Sequence, residues 1–241
     1  MKGKMKEFKE HYEFYDFLYN PFSKAGLERK ERMKNIITKY CKKSSGNALD
    51  LCCGMGIGTF TLEEIGFDVI GVDIKEDYIK RAKIYAKKLN SNTKFFIQDT
   101  EDLSFQDNTF DIITMLGNAM PHFSIDSFSK SMKESYRVLK EGGEIIIQYT
   151  DWISIIFSFY QRTLIEDNDK GEVMISYHSG LNTKEGFIKR FFHIPGKGKK
   201  FENIFYIWSP WILEYVLKEN GFKNIESFNE SGVNWITKGK K

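Results

Sequence analysis

The stretch Leu49-Asp50-Leu51-Cys52-Cys53-Gly54-Met55-Gly56-Ile57-Gly58-Thr59 decides how this chain is read. A short apolar run ends in a glycine-rich turn, and the turn opens into a segment with helical spacing. Glycine lets the backbone come close to a ligand and adopt positive φ. In an open parallel sheet, ligands bind in the crevice beyond the carboxyl ends of the strands, so a strand–turn–helix setting gives a glycine motif weight. Dinucleotide binding is a poor match. The G-x-G-x-x-G pattern begun at Gly54 and Gly56 needs glycine where Thr59 stands. Asp50, inside the turn region, would sit badly beside a pyrophosphate but suits a ligand carrying an ammonium group.

Outward from the turn, apolar runs alternate with segments of 3.6 periodicity, the pattern of βαβ units on a parallel sheet. The runs are Ala48-Leu-Asp-Leu-Cys-Cys, Val69-Ile-Gly-Val-Asp, Phe95-Phe-Ile-Gln-Asp, Phe110-Asp-Ile-Ile-Thr-Met-Leu and Glu144-Ile-Ile-Ile-Gln-Tyr. A helix is expected over 27–40 with Leu27, Met33, Ile36, Ile37 and Tyr40 as its apolar positions. Two more are expected over 74–89 and 127–139, the latter stopped by Lys140-Glu-Gly-Gly. After Tyr149 the character changes. Aromatic and β-branched runs at 174–178, 186–194 and 200–208 predict an antiparallel meander, with turns at Gly180 and Pro195-Gly-Lys-Gly. Ser209-Pro210-Trp211 starts a helix that ends at Asn220-Gly221, and strands over 223–228 and 233–237 complete the chain.

The 241 residues suit one large α/β domain, and 36 Lys+Arg against 33 Asp+Glu leave a net charge of only +3. That balance argues against a dedicated nucleic-acid binder. With 41% hydrophobic and 29% charged residues the composition is globular. Three cysteines, two of them adjacent and none in C-x-x-C spacing, point to a reducing compartment and no structural metal. The first residues carry charges but no apolar signal core, and the greasiest run, 153–160, is about half of a membrane span. A cytoplasmic protein is expected.

Several motifs in order resemble those of the class I S-adenosylmethionine-dependent methyltransferases, over 47–149. The D-x-G-x-G pattern reads Asp50-Leu-Cys52-Cys-Gly54-Met-Gly56, with Cys52 in place of the first glycine. Gly-Val-Asp73-Ile74 resembles the acidic loop that accepts both ribose hydroxyls. Phe-Phe-Ile-Gln-Asp99-Thr100 resembles the motif whose Asp accepts from the adenine amino group. Phe110-Asp111-Ile-Ile-Thr-Met-Leu116-Gly-Asn118 resembles the fourth strand and the loop facing the methyl donor. The resemblance implies a Rossmann-like, doubly wound α/β fold with a seven-stranded, mostly parallel sheet and an antiparallel C-terminal hairpin. It divides the single domain into an N-terminal arm and helix (1–45), a donor-binding core (46–150), an antiparallel insertion covering the substrate (151–208), and a C-terminal helix and strands (209–241). The donor is S-adenosylmethionine, the product S-adenosylhomocysteine, and no metal is required.

Donor-binding candidates are therefore Asp50, Cys52, Gly54, Gly56, Asp73, Ile74, Asp99, Thr100 and Leu116, with Tyr15 and Tyr19 from an aromatic arm, Tyr12 included, that folds over the donor. Each has an ordinary reading: a tight turn at Gly54 and Gly56, a helix cap at Asp73, a turn residue at Asp99, helix anchors among the tyrosines. Related enzymes carry an Arg near the end of the arm. Arg29 and Arg32 match its position only approximately, and neither is assigned.

The loop Leu116-Gly-Asn118-Ala-Met-Pro121-His122 lacks the Asn-Pro-Pro-Tyr of amino-methylating DNA enzymes, and all three cysteines lie too early for RNA cytosine methylation. It resembles the loop of glycine/sarcosine N-methyltransferases, which implies a small-molecule acceptor, an amine or amino-acid-like compound, faced by Asn118 and His122. Arg190 is expected on an exposed strand face, the alternative being contact with a substrate carboxylate. RNA or protein methylation, or donor binding without turnover, are the rival functions. Monomer and homodimer both remain open.

Overall fold

The computed structural model describes residues 13–241, and its architecture is organised around the strand that carries Asp50. A single turn at Asp16–Leu18 leads into α1 (Lys24–Tyr40), where the Ser23 side chain accepts from Gly26 N. Then β1 (Gly46–Leu51), α2 (Ile57–Ile65), β2 (Phe67–Asp73), α3 (Glu76–Leu89), β3 (Lys94–Ile97), β4 (Phe110–Met115), α4 (Ile125–Val138) and β5 (Leu139–Thr150) alternate as the apolar pattern requires. The next strands are β6 (Thr163–Asp167), β7 (Val173–Asn182), β8 (Phe187–Ile194) and β9 (Lys199–Tyr206), followed by α5 (Pro210–Glu219), β10 (Lys223–Ser231) and β11 (Asn234–Lys240).

The main sheet has the order β10-β11-β5-β4-β1-β2-β3. Strands β5, β4, β1, β2 and β3 run parallel, β11 is antiparallel to β5, and β10 closes an antiparallel hairpin with β11, as expected. Alternate residues enter opposite faces, so the central strands are apolar on both sides. Leu49, Leu51, Ile113 and Ile145 pack with α4 and α5 through Phe128, Met132, Leu213 and Leu217. Ala48, Ile112 and Ile146 pack the other way, onto Met33, Ile36 and Ile37 of α1 and Leu62 of α2. Burial of each Leu, Ile, Met or Phe among them is worth about 1.5–3 kcal/mol relative to exposure. A second, wholly antiparallel sheet, β6-β7-β8-β9, is the insertion.

Some local expectations are corrected. Leu27 is 53% exposed, because the inward stripe of α1 runs through Gly26, Met33 and Ile37 instead. Gly180 does not turn the chain: it lies inside β7 beside a register shift, and the turn falls between Asn182 and Gly186. Lys140-Glu-Gly-Gly does not hold a helix end in coil but runs straight into β5. Strand β6 adds to the expected meander; Thr163-Leu-Ile-Glu-Asp carries only two apolar residues and so gives little signal. The 152–159 stretch is helical. Among the described residues, no helix is long and apolar enough to cross a membrane. Tyr12 lies outside the described residues.

Candidate active site

A cleft of about 1260 Å³, counting the space it shares with solvent, opens at the carboxyl ends of β1, β2, β3 and β4. This is where the strand order switches, since the connection from β1 goes to one side and the return to β4 lies on the other. Asp50, Cys52, Gly54, Asp73, Ile74, Asp99, Thr100, Leu116, Asn118, His122 and Tyr19 all line it.

Asp50 is 2% exposed and directly opposite Thr114 in the β1–β4 register. Its carboxylate accepts from the Thr59 hydroxyl at 2.8 Å and from the Thr114 hydroxyl at 2.9 Å. Burial pushes its pKa up to about 6, against the pull of those two bonds. A Cβ on Gly58 would stand 3.0 Å from an Asp50 oxygen, so this glycine makes room for the buried carboxylate. At the end of β2, Asp73 accepts from Gly54 N at 2.9 Å and from Lys75 N at 2.8 Å, tying the two turns together. Burial raises its pKa too, against those backbone bonds. Asp73 is thus not the cap of α3: that position is Lys75, whose side chain makes no capping bond.

Cys52 takes φ +54°, the left-handed backbone that its place in the motif calls for and that a glycine would adopt without strain. Burial raises the thiols of Cys52 and Cys53 well above their usual range, and nearby Asp73 and Asp50 add to it, so neither is a reactive thiolate.

Two candidates leave the cleft. Gly56 is absent from the lining, and a Cβ there would meet the rings of Phe60 and Phe95 at 2.9 Å, so the two rings pack directly against this glycine. Tyr15 is also outside it, packed edge-on to Phe14 and hydrogen-bonded to Glu166 of β6. Thr100 turns its hydroxyl to Ser131 at 2.8 Å, and Asn118 Oδ1 accepts from Thr150 N at 3.0 Å, stapling the β4 loop to β5. Asp111 lies at the opposite end of β4, held by Lys43, Lys140 and Asn47 N.

Arg29 is the principal residue missed. It lines the cleft, donates to Gly117 O at 3.0 Å and lies 5.1 Å from the Tyr19 ring centre. Burial lowers its pKa, and among the described residues no carboxylate forms an ion pair with it. Lys75 and Tyr78 border the same end, with Lys75 Nζ 4.9 Å from the Tyr78 ring centre and its pKa brought down to about 8 by burial. The arm is fixed there by Asp16, which binds Arg81 through both oxygens, and by Tyr19 against Tyr78 at 5.9 Å.

An open α/β sheet with a glycine turn at β1, an acidic residue ending β2 and another just past β3 is the arrangement that the resemblance to class I S-adenosylmethionine-dependent methyltransferases implied. Residues 48–143 match the family model of a methyltransferase domain. The chain is 29% identical to the PH0226 protein of Pyrococcus horikoshii, whose crystal structure superposes with a TM-score of 0.81 over 97% of this chain and 99% of that one. An S-adenosylmethionine-dependent methyltransferase of Clostridium acetobutylicum shares the fold, at TM-score 0.75 and 19% identity over 95% and 98% of the two chains. A demethylmenaquinone methyltransferase of Staphylococcus saprophyticus is 33% identical over 135 residues, 55% of each chain. The chain thus spans about half the length of the curated relatives it matches.

Proposed function

We propose that the protein transfers a methyl group from S-adenosylmethionine directly to a small-molecule acceptor, an amine or amino-acid-like compound. The observation that carries this reading is the placement of Asp50, Asp73 and Asp99 on one cleft, at the ends of three adjacent strands, with the half-buried cation Arg29 on the same lining. The residues fit the donor's polar groups. Asp50 would face the ammonium, Arg29 the carboxylate, Asp73 the ribose hydroxyls and Asp99 the adenine amino group. Ile74 and Leu116 supply apolar surface for the base, and Tyr19 closes the arm side.

When bound, S-adenosylmethionine supplies an electrophilic methyl on a sulfonium. In-line displacement requires alignment and exclusion of water more than a strong base. The backbone turn from Cys52 to Gly54 fixes the donor end. Asn118 acts by holding its loop, because its amide oxygen is committed to Thr150 N. His122, on the turn Met120–His122 beside the cleft, orients the acceptor or takes its proton. A second reading, methylation of an acceptor of the demethylmenaquinone kind, is favoured by the named activity of the curated relatives.

The test is isothermal titration with S-adenosylhomocysteine and, separately, NAD, followed by incubation with S-adenosylmethionine and a mixed amine and quinone panel read by mass spectrometry. Binding of about micromolar strength by S-adenosylhomocysteine alone, with an N-methylated product, is expected. Binding of NAD in its place, or of neither, would sink the donor assignment; a methylated quinone would select the second reading.

A further inference from the structure

The face of the four-stranded sheet that packs against the arm carries a row of polar side chains its apolar surroundings do not call for. On β8, Ile188, Arg190, Phe192 and Ile194 share one face, and the three apolar members join a cluster with Phe14, Met174 and Phe205. Arg190, in their midst, is 6% exposed. It pairs in register with His178 on β7 and Asn203 on β9, between the rungs Ile188–Phe205 and Phe192–Phe201. A polar row therefore crosses three strands.

The Arg190 guanidinium donates to Gln161 O at 3.2 Å, Ser176 O at 3.4 Å and Ser176 Oγ at 3.0 Å, all neutral acceptors. Among the described residues no carboxylate forms an ion pair with it, and the nearby Glu166 is engaged by the Tyr15 hydroxyl. Next to it, the Tyr160 hydroxyl and His178 Nδ1 are buried without a hydrogen-bond partner among the described residues. Their rings meet edge to face at 5.5 Å. A buried cation lacking a counter-ion and two buried unpaired polar atoms each cost stability, so their convergence is the mark of a site completed by a ligand.

We propose that Arg190, Tyr160 and His178 form a subsite for a carboxylate group on the methyl acceptor. This deepens the methyl-transfer reading and rests on it. A guanidinium presents paired donors that match a carboxylate, and the phenol and imidazole supply further bonds to its remaining lone pairs. Tyr15 lies within electrostatic reach of both Arg190 and Tyr19, a residue of the donor cleft, so the arm runs from this subsite to the donor. The Trp208 indole donates to Phe123 O at 3.0 Å, which fastens the end of this sheet to the loop that carries His122. Exposed Gln161, whose carbonyl accepts from Arg190, and exposed Arg162 border the subsite.

The test titrates the protein loaded with S-adenosylhomocysteine against propionate and benzoate, each beside its uncharged amide. The acids should bind at least about tenfold tighter than the amides. Arg190→Gln should abolish that preference and Arg190→Lys should keep part of it, with S-adenosylhomocysteine affinity unchanged in both. Should Arg190→Gln fail to fold, Tyr160→Phe, which removes a hydroxyl with no partner among the described residues, should weaken acid binding severalfold. Acids that bind no better than amides, or Arg190→Gln retaining the preference, would overturn the subsite. Absence of S-adenosylhomocysteine binding in the wild type would instead strike the methyl-transfer reading, and the acid–amide comparison on the unloaded protein would still decide the subsite.

Discussion

Replacing Asp50 with Asn should raise the stability of the folded protein while weakening its grip on the donor. The carboxyl titrates near 3.8 in the unfolded chain and near 6 in the folded one, chiefly because burial disfavours its charge. Between those values the native state holds the extra proton, so stability rises as pH falls through about 6 and the penalty is complete above it. That rise in pKa corresponds to about 3 kcal/mol. Asparagine cannot ionise, and its carboxamide can accept from one threonine hydroxyl and donate to the other, so the contacts with Thr59 and Thr114 survive. At pH 8 the variant should exceed the wild type by up to about 3 kcal/mol, raising Tm by several degrees in a chain of this size. The two should converge towards pH 4, where the wild-type carboxyl is protonated. Affinity for S-adenosylhomocysteine should fall by about 10- to 150-fold as a charge-assisted bond is lost. Urea denaturation at pH 8 and pH 4.5, with calorimetric titration at pH 8, measures all three quantities. An Asp50→Asn variant less stable than wild type at pH 8, or a gap independent of pH, would refute the reasoning.

Asp73→Ala should weaken S-adenosylhomocysteine binding by about 1–3 kcal/mol in the same calorimetric assay, through the ribose contact and through release of Gly54 N and Lys75 N; unchanged affinity would contradict the assignment. Arg29→Met, similar in length but without donors, should lower affinity for S-adenosylhomocysteine about tenfold or more and affect decarboxylated S-adenosylmethionine far less, which isolates the carboxylate contact. Cys52→Gly should keep S-adenosylhomocysteine affinity within about twofold, since glycine accepts the φ of this turn, whereas Cys52→Val should lower Tm measurably because a β-branched residue resists it. Equal melting curves for the two Cys52 variants would show that the turn relaxes.

Much of the fold could be read from the sequence because the central strands β1, β4 and β5 are buried on both faces, and continuous apolar runs such as Ile145-Ile-Ile mark them. The candidate donor residues were legible for a related reason: Asp50, Asp73 and Asp99 stand at or just past strand ends, within motifs that resemble those of a known family, and all three line one crevice. Arg29 was obscured because it is one cation among many on an amphipathic helix, and its partners come from outside that helix: Gly117, 88 residues away, and the Tyr19 ring. Arg190 misled for a different reason. In Phe187-Ile-Lys-Arg-Phe-Phe-His-Ile apolar residues occupy both parities, so alternation could not say which face turns inward. Gly56 from the glycine motif and Tyr15 from the aromatic arm carried no local signal of direction, and neither is among the residues lining the cleft.

Every residue lining the cleft lies between Tyr19 and Phe123, and the four-stranded sheet contributes none of them among the described residues. Mutations in that sheet can therefore accumulate without touching the groups placed around the donor. Such a division lets selection explore new acceptors while donor chemistry stays intact, so that a change of specificity need not pass through an inactive ancestor.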